Sequence, residues 1–234
     1  GPSSLVNEGT IAMTDNPFDY NYSVDFDGSS DYLELPSDSS LNLSGDFTIE
    51  FWVYPRDQDV SRQSILQTDR SWGAQYAVVQ ISNQTQSGLE SKAQLWDYDM
   101  NQSYAIAYSG STVPENQWTH VAFTRASGTI RVFLNGTLDG TFTSLSDSIE
   151  FGATTSFIGN HSGSYWLNAI LTNFRIVNGT ALYTSSFTAP TSPLTVVANT
   201  KLLCCNQSVV TGATVFASTI TSSGNPQATL DSPF

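Results

Sequence analysis

Positive charge is scarce in this sequence: 8 Lys and Arg stand against 21 Asp and Glu, a formal net charge of −13 with both His neutral. Phosphate backbones and anionic membrane surfaces are held by clusters of Lys and Arg, so the balance speaks against nucleic acid and against membrane docking. Cysteine is nearly absent too, with only Cys204 and Cys205, side by side. Neighbours in a strand face opposite sides of a sheet, and a vicinal disulfide needs a strained ring. The pair therefore reads as two free thiols buried as small hydrophobes. No apolar run approaches the ~20 residues of a membrane helix, and no stretch reads as a signal peptide. No segment longer than a turn or two carries a 3.6-residue period. H-E-x-x-H, G-x-S-x-G and phosphate-loop motifs are missing as well.

What is present is strand pattern. In residues 117–142, QWTHVAFTRASGTIRVFLNGTLDGTF, Val121 and Phe123 alternate with His120, Ala122 and Thr124. Ile130, Val132 and Leu134 alternate again, with Arg131 and Phe133 turned the other way. Period two carried by β-branched and aromatic residues is the strand signature. Asn135-Gly136 suits a two-residue hairpin, which needs φ > 0 at both central positions. Ser127-Gly128 reads as a short break between the first two runs. Further strands are predicted over 24–35 (two, about a turn), 47–54, 64–68, 76–81, 93–98, 104–108, 157–159, 168–177 and 196–205, and one helical turn over 180–185. Pro55 ends its strand, since proline cannot donate to a ladder. Turn signals recur every about 8–12 residues, which suits a sandwich. A chain of 234 residues fits one such domain, burying roughly 70–75 % of its unfolded surface.

Four stretches place the chain beside a known family. Residues 24–33 (VDFDGSSDYL), 47–53 (FTIEFWV), the meander from Trp118 to Asn135-Gly136, and Phe157-Ile158-Gly159 with 169–177 resemble, in order, the strands of the laminin G-like, concanavalin A-like lectin/glucanase domain. Residues 174–183 (FRIVNGTALY) and 187–190 (FTAP) resemble the closing segment of such domains in tailed-bacteriophage structural proteins. Residues 200–205 and the Ser/Thr-rich stretch ending Ser232-Pro233-Phe234 resemble marine phage virion proteins. The resemblance implies an all-β, two-sheet antiparallel jelly-roll sandwich over residues 19–190. Residues 191–234 are expected to wrap back on it, and 1–18 to form a lead-in whose Gly1-Pro2 reads as a cleavage scar. It implies a non-catalytic virion surface or tail module binding host-surface glycan, or else a structural decoration protein with protein partners only. A homo-oligomer at the virion surface or outside the cell belongs to the same implication.

Three kinds of chemistry are tested against the residues. Retaining glycoside cleavage needs two carboxyls ~5–5.5 Å apart. The long 47–54 strand offers Glu50, on an accessible face or an edge, with no second acid two or four residues away, so a polysaccharide-cleaving enzyme is the weaker alternative and no catalytic residue is assigned. His120, in a core strand, reads as a packed histidine, and His161 has no metal-ligand spacing to it. Calcium is the second: Asp27 and Asp31 bracket a tight turn whose oxygens can converge on one ion, or simply bond their own backbone. By resemblance Asp27 and Asp46 match acidic positions of the family's calcium loops. Residues 97–101 imitate the opening of an EF-hand but lack its Gly and its closing Glu, where Tyr108 stands. Sugar binding is the third, needing aromatic platforms beside polar groups. Trp96, Asp97, Tyr98, Asp99 and Asn101 combine both in one loop, with Trp72 and with Trp166 (beside Tyr165, Asn160 and His161) as further platforms. Trp52 and Trp118 are expected in the sandwich core.

Overall fold

The computed structural model describes residues 21–58, 62–69, 76–83, 86–98, 105–143, 148–160 and 165–234. The strands among them are β1 (Ser23–Asp27), β2 (Tyr32–Leu35), β3 (Asn42–Leu43), β4 (Phe47–Pro55), β5 (Arg62–Thr68), β6 (Tyr76–Asn83), β7 (Ala93–Tyr98), β8 (Ala105–Tyr108) and β9 (Thr119–Ala126). They continue as β10 (Thr129–Leu134), β11 (Thr137–Thr143), β12 (Ile149–Glu150), β13 (Ser156–Ile158), β14 (Asn168–Asn178), β15 (Thr200–Cys204), β16 (Ala213–Val215), β17 (Thr221–Ser223) and β18 (Gln227–Thr229). The first sheet runs β11-β10-β9-β4-β14-β1-β18, with β15 beside the second half of β14 and β16 beside β15. The second runs β17-β2-β13-β5-β6-β7-β8, and β3 with β12 forms a small ladder. Two antiparallel sheets face each other, the sandwich that the strand pattern predicts.

Alternation decides which side chains meet. Phe47, Ile49, Phe51 and Val53 of β4, Val121 and Phe123 of β9, and Leu171, Phe174 and Ile176 of β14 join Leu33, Leu66, Val79, Leu95 and Ile158 of the second sheet in one core cluster. Each is 0 % exposed, and burying such a side chain stabilises the fold by about 1.5–3 kcal/mol. The two hairpins of the first sheet share one device. Asn135 and Gly136 have φ of +49° and +77°, and Ser127 and Gly128 have +48° and +78°. The Ser127-Gly128 break is thus a second hairpin turn, closing β9 on β10.

β14 is buried along nearly its whole length, on both faces. The reason is residues 179–195, which cross the outer face of the first sheet as a strap. Thr48 Oγ1 donates to Thr180 O and accepts from Leu182 N–H, Thr124 Oγ1 donates to Tyr183 O, and Phe187 N–H donates to Gly136 O. Asn173, at the β14 bulge with φ +53°, holds Leu194 N–H through its side-chain oxygen at 2.7 Å. Residues 180–185 form part of this irregular, bent run rather than the expected helical turn, because Thr180 O, Leu182 N–H and Tyr183 O bond to the sheet. Trp52 and Trp118 also depart from expectation: they lie on the strap side of the first sheet, not between the sheets. Trp52 alternates with the core residues Phe51 and Val53, and Trp118 has the parity of His120.

Cys204 and Cys205 are free and buried, as expected. Their side chains do not oppose each other, because Cys205 leaves the strand at φ +62° and both sulfurs enter the core 3.7 Å apart. Hydrogen bonding to Cys205, with burial, pushes the Cys204 thiol well above its ordinary value.

Candidate functional site

The outer face of the second sheet gathers aromatic and amide side chains by register. Glu34, Phe157, Gln67, Val78 and Trp96 lie in one cross-strand row over β2, β13, β5, β6 and β7. Tyr76 pairs with Tyr98 on one side of that row, and Gln80 with Gln94 on the other. Two aromatic groups result. In the first, Trp96 stacks on Tyr98 at 5.2 Å and Tyr98 on Tyr76 at 4.1 Å. The Arg62 guanidinium lies between the Trp96 ring, at 6.0 Å, and the Tyr165 ring, at 5.2 Å. In the second, Tyr32 meets Phe157 edge-on at 5.6 Å and Trp166 at 6.2 Å. Three strand spacings separate β13 from β7, about 14 Å, with Gln67 and Val78, each 3 % exposed, between them.

Trp96 is 1 % exposed, so it is the foundation of this face rather than an open platform. Its Nε1–H donates to Gln94 Oε1 at 2.8 Å, and Gln80 Nε2 donates to the same oxygen at 2.8 Å. Gln94 in turn donates to Leu89 O. Tyr98, Tyr76, Tyr165, Trp166, Tyr32 and Phe157 are half-buried and form the accessible surface. Asp97 does not join them: alternation sends it to the other side of the sheet from Trp96 and Tyr98, where its charge is felt by Arg125. Asp99, Asn101, Trp72 and His161 lie outside the described residues. Sequence reasoning missed Tyr32, Arg62, Gln67, Tyr76, Gln80, Gln94 and Phe157. For β6 and β7 the parity was readable, since Tyr76, Val78 and Gln80 share one face, as do Gln94, Trp96 and Tyr98.

The acidic turn is self-contained. Asp27 Oδ1 accepts from Ser29 and Ser30 N–H, both at 2.8 Å, and Oδ2 from Ser29 Oγ at 2.6 Å. Burial opposes ionisation, but the bonds from Ser29 and Ser30 together outweigh it and hold the carboxyl well below its ordinary range. Asp31 accepts from Asn225 N–H at 2.6 Å and Asp27 N–H at 3.2 Å. Asp46 accepts from Ser127 N–H at 2.9 Å. It also stands at the far end of β14 from Asp27, ten residues or roughly 33 Å away, so these two cannot share an ion. Among the described residues no three His, Cys, Asp or Glu side chains converge as a metal site. Both oxygens of Asp27 and of Asp31, and Oδ1 of Asp46, thus accept from N–H and O–H donors of the chain itself.

Glu50 is neither accessible nor at an edge; β4 is central, and the side chain is 0 % exposed beneath the strap. Oε1 accepts from Arg175 Nε at 3.0 Å and Nη2 at 2.5 Å, while Oε2 accepts from Tyr183 Oη at 2.9 Å and stands 3.2 Å from His120 Nε2. Burial alone would raise the carboxyl's pKa, but the His120 hydrogen bond and the Arg175 charge outweigh it and lower it. Burial, then the Glu50 charge, pushes Tyr183 far up. His120 is the packed histidine its pattern predicts. The cluster ties β4, β9, β14 and strap together and offers no carboxylate to a substrate.

The model of the concanavalin A-like lectin/glucanases superfamily, laminin G type, matches residues 27–185 of the 234. The chain belongs to that superfamily. Among solved structures this lectin-like chain is similar to a protein from Bacteroides ovatus assigned to carbohydrate binding, with 14 % identity and a TM-score of 0.55 over 90 % of this chain and 60 % of that one. A heptameric SAP-like pentraxin from Limulus polyphemus has 17 % identity and a TM-score of 0.49 over 71 % of this chain and 79 % of its own. Domain 4 of an extracellular arabinanase from Geobacillus stearothermophilus, in complex with arabinotriose, has 23 % identity and a TM-score of 0.49, over 68 % of this chain and 71 % of its own. At such identities the likeness is one of fold. No curated protein matches the chain. No helix among the described residues is long and apolar enough to cross a membrane.

Proposed function

We propose that this concanavalin A-like domain is a non-catalytic module of a phage virion surface or tail that binds host-surface glycan on the outer face of its second sheet. The observation that carries the binding reading is the pair of aromatic groups on either side of Gln67 and Val78, Tyr76-Tyr98-Trp96 and Tyr32-Phe157-Trp166. Apolar faces of a sugar chain rest on aromatic rings while Arg62 meets its hydroxyls. Two groups about 14 Å apart suit an oligosaccharide crossing the strands better than a single sugar. The virion placement rests on the resemblance of residues 174–190 and 200–234. Because Glu50 is sealed under the strap, the cleavage reading loses the residue that motivated it.

The test is a glycan array with the wild-type chain, Tyr98→Ala and Trp166→Ala, run with calcium and with chelator. Binding to a defined oligosaccharide is expected, weakened at least about tenfold by either substitution, or some 1.4 kcal/mol, and unchanged by chelator. Silence across a broad array would transfer the reading to a structural virion protein with protein partners only.

A further inference from the structure

The strap side of the first sheet holds a second aromatic enclosure. Alternation turns Trp52 and Tyr54 of β4, His120 of β9 and Trp118 just before it away from the core, and Trp52 and His120 are cross-strand partners. Their rings are 5.3 Å apart, tilted by 55°. Trp118 stands edge-on to Tyr54 at 5.7 Å, and both rings are half-buried. Phe234 approaches Trp52 edge-on at 5.8 Å, and Phe187 approaches His120 edge-on at 5.8 Å.

Two buried polar atoms of these side chains have no hydrogen-bond partner among the described residues, Trp52 Nε1 and His120 Nδ1. Trp52 is 8 % exposed and His120 0 %. His120 Nε2 faces a Glu50 oxygen at 3.2 Å. A carboxylate only accepts, so Nε2 carries the hydrogen, and in the neutral imidazole Nδ1 then presents a lone pair. One buried donor and one buried acceptor are therefore left on neighbouring strands. Buried polar groups are almost always paired, and a hydroxyl oxygen can accept from the first and donate to the second at once.

We infer that this enclosure binds a hydroxyl group, which accepts from Trp52 Nε1–H and donates to His120 Nδ1. The Tyr54 and Trp118 rings beside it offer apolar surface of the kind that carries a sugar ring. A saccharide and an ordered water supply the same chemistry. The enclosure lies on the opposite sheet from the proposed glycan face, and the two stand or fall separately.

Nuclear magnetic resonance on the full 15N-labelled chain tests it. Trp52→Phe identifies the Trp52 indole signal, and methyl β-glucoside and methyl β-galactoside serve as probes. His120 is expected in the Nε2–H tautomer, with the Trp52 indole hydrogen in contact with a bound hydroxyl. A saturable shift of that signal on adding a glycoside identifies a saccharide site; a long-lived water contact that neither glycoside moves identifies a water site. Phe234→Ala opens one wall, so either glycoside affinity or the rate of water exchange rises several-fold. His120 in the Nδ1–H tautomer, or a Trp52 indole hydrogen with neither water contact nor glycoside response, would overturn the inference.

Discussion

Glu50 shows how one position is read differently by pattern and by packing. Its parity, opposite to Ile49 and Phe51, was visible in the sequence; that a distant strap would cover that side was not. Glu50→Gln leaves Arg175 buried beside a neutral group, and removing one partner of a buried ion pair costs about 3–5 kcal/mol. Tyr183→Phe removes one hydrogen bond to a charge and costs about 1.5–3 kcal/mol. Urea unfolding of both variants reads these differences, and a loss under about 1 kcal/mol in Glu50→Gln would mean the cluster is effectively solvated. The pH dependence has a definite sign. Glu50 is held below its ordinary 4.5 in the fold, so its contribution is present above that value and is lost as pH falls below it. The gap between wild type and Glu50→Gln should therefore narrow on acidification. Trp96 gives the complementary case: buried beneath Arg62 and Leu89 rather than open to ligand, Trp96→Ala should lower stability by about 3–5 kcal/mol.

At the scale of elements, the turns were the most legible part. Asn135-Gly136 announces its hairpin because only residues tolerant of positive φ sit there without strain. What the turn also does, receiving the strap, depends on a residue some fifty positions onward. A Cβ on Gly136 would meet Phe187 O at 2.1 Å, whereas one on Gly128 would meet nothing within 4 Å. The two glycines have nearly equal φ, so both alanine variants share a backbone penalty of about 1–2 kcal/mol. Gly136→Ala should be less stable than Gly128→Ala in denaturant unfolding, the excess measuring the strap contact; equal losses would show that the strap lifts away freely. The helical turn expected over residues 180–185 fails for the same reason, since short-range pattern does not include the Thr48 and Thr124 hydroxyls that hold those residues on the sheet.

For the whole molecule, the acidic balance and the Asp27 turn together suggested calcium, and the geometry assigns the carboxylates to the chain's own amides. Thermal unfolding should then give the same midpoint in millimolar calcium and in chelator; a calcium-dependent rise would show that Asp27 and Asp31 rearrange around an ion. Composition, period-two patterning and turn residues by themselves determined the all-β class, most of the strands and the inward faces of the long ones, because alternation and positive-φ preference act over a few residues. They placed Trp96 and Tyr98 in a candidate binding loop together with Asp97, whereas the strand Ala93–Tyr98 separates Asp97 from them by parity. Only the tertiary structure decided which outward faces are covered. The row from Phe157 to Trp96 comes from four strands spread over some ninety positions, and the sealing of Glu50 requires a strap from beyond the last strand of the meander. Register between distant strands is fixed by mutual burial, and no local segment of the chain carries that information.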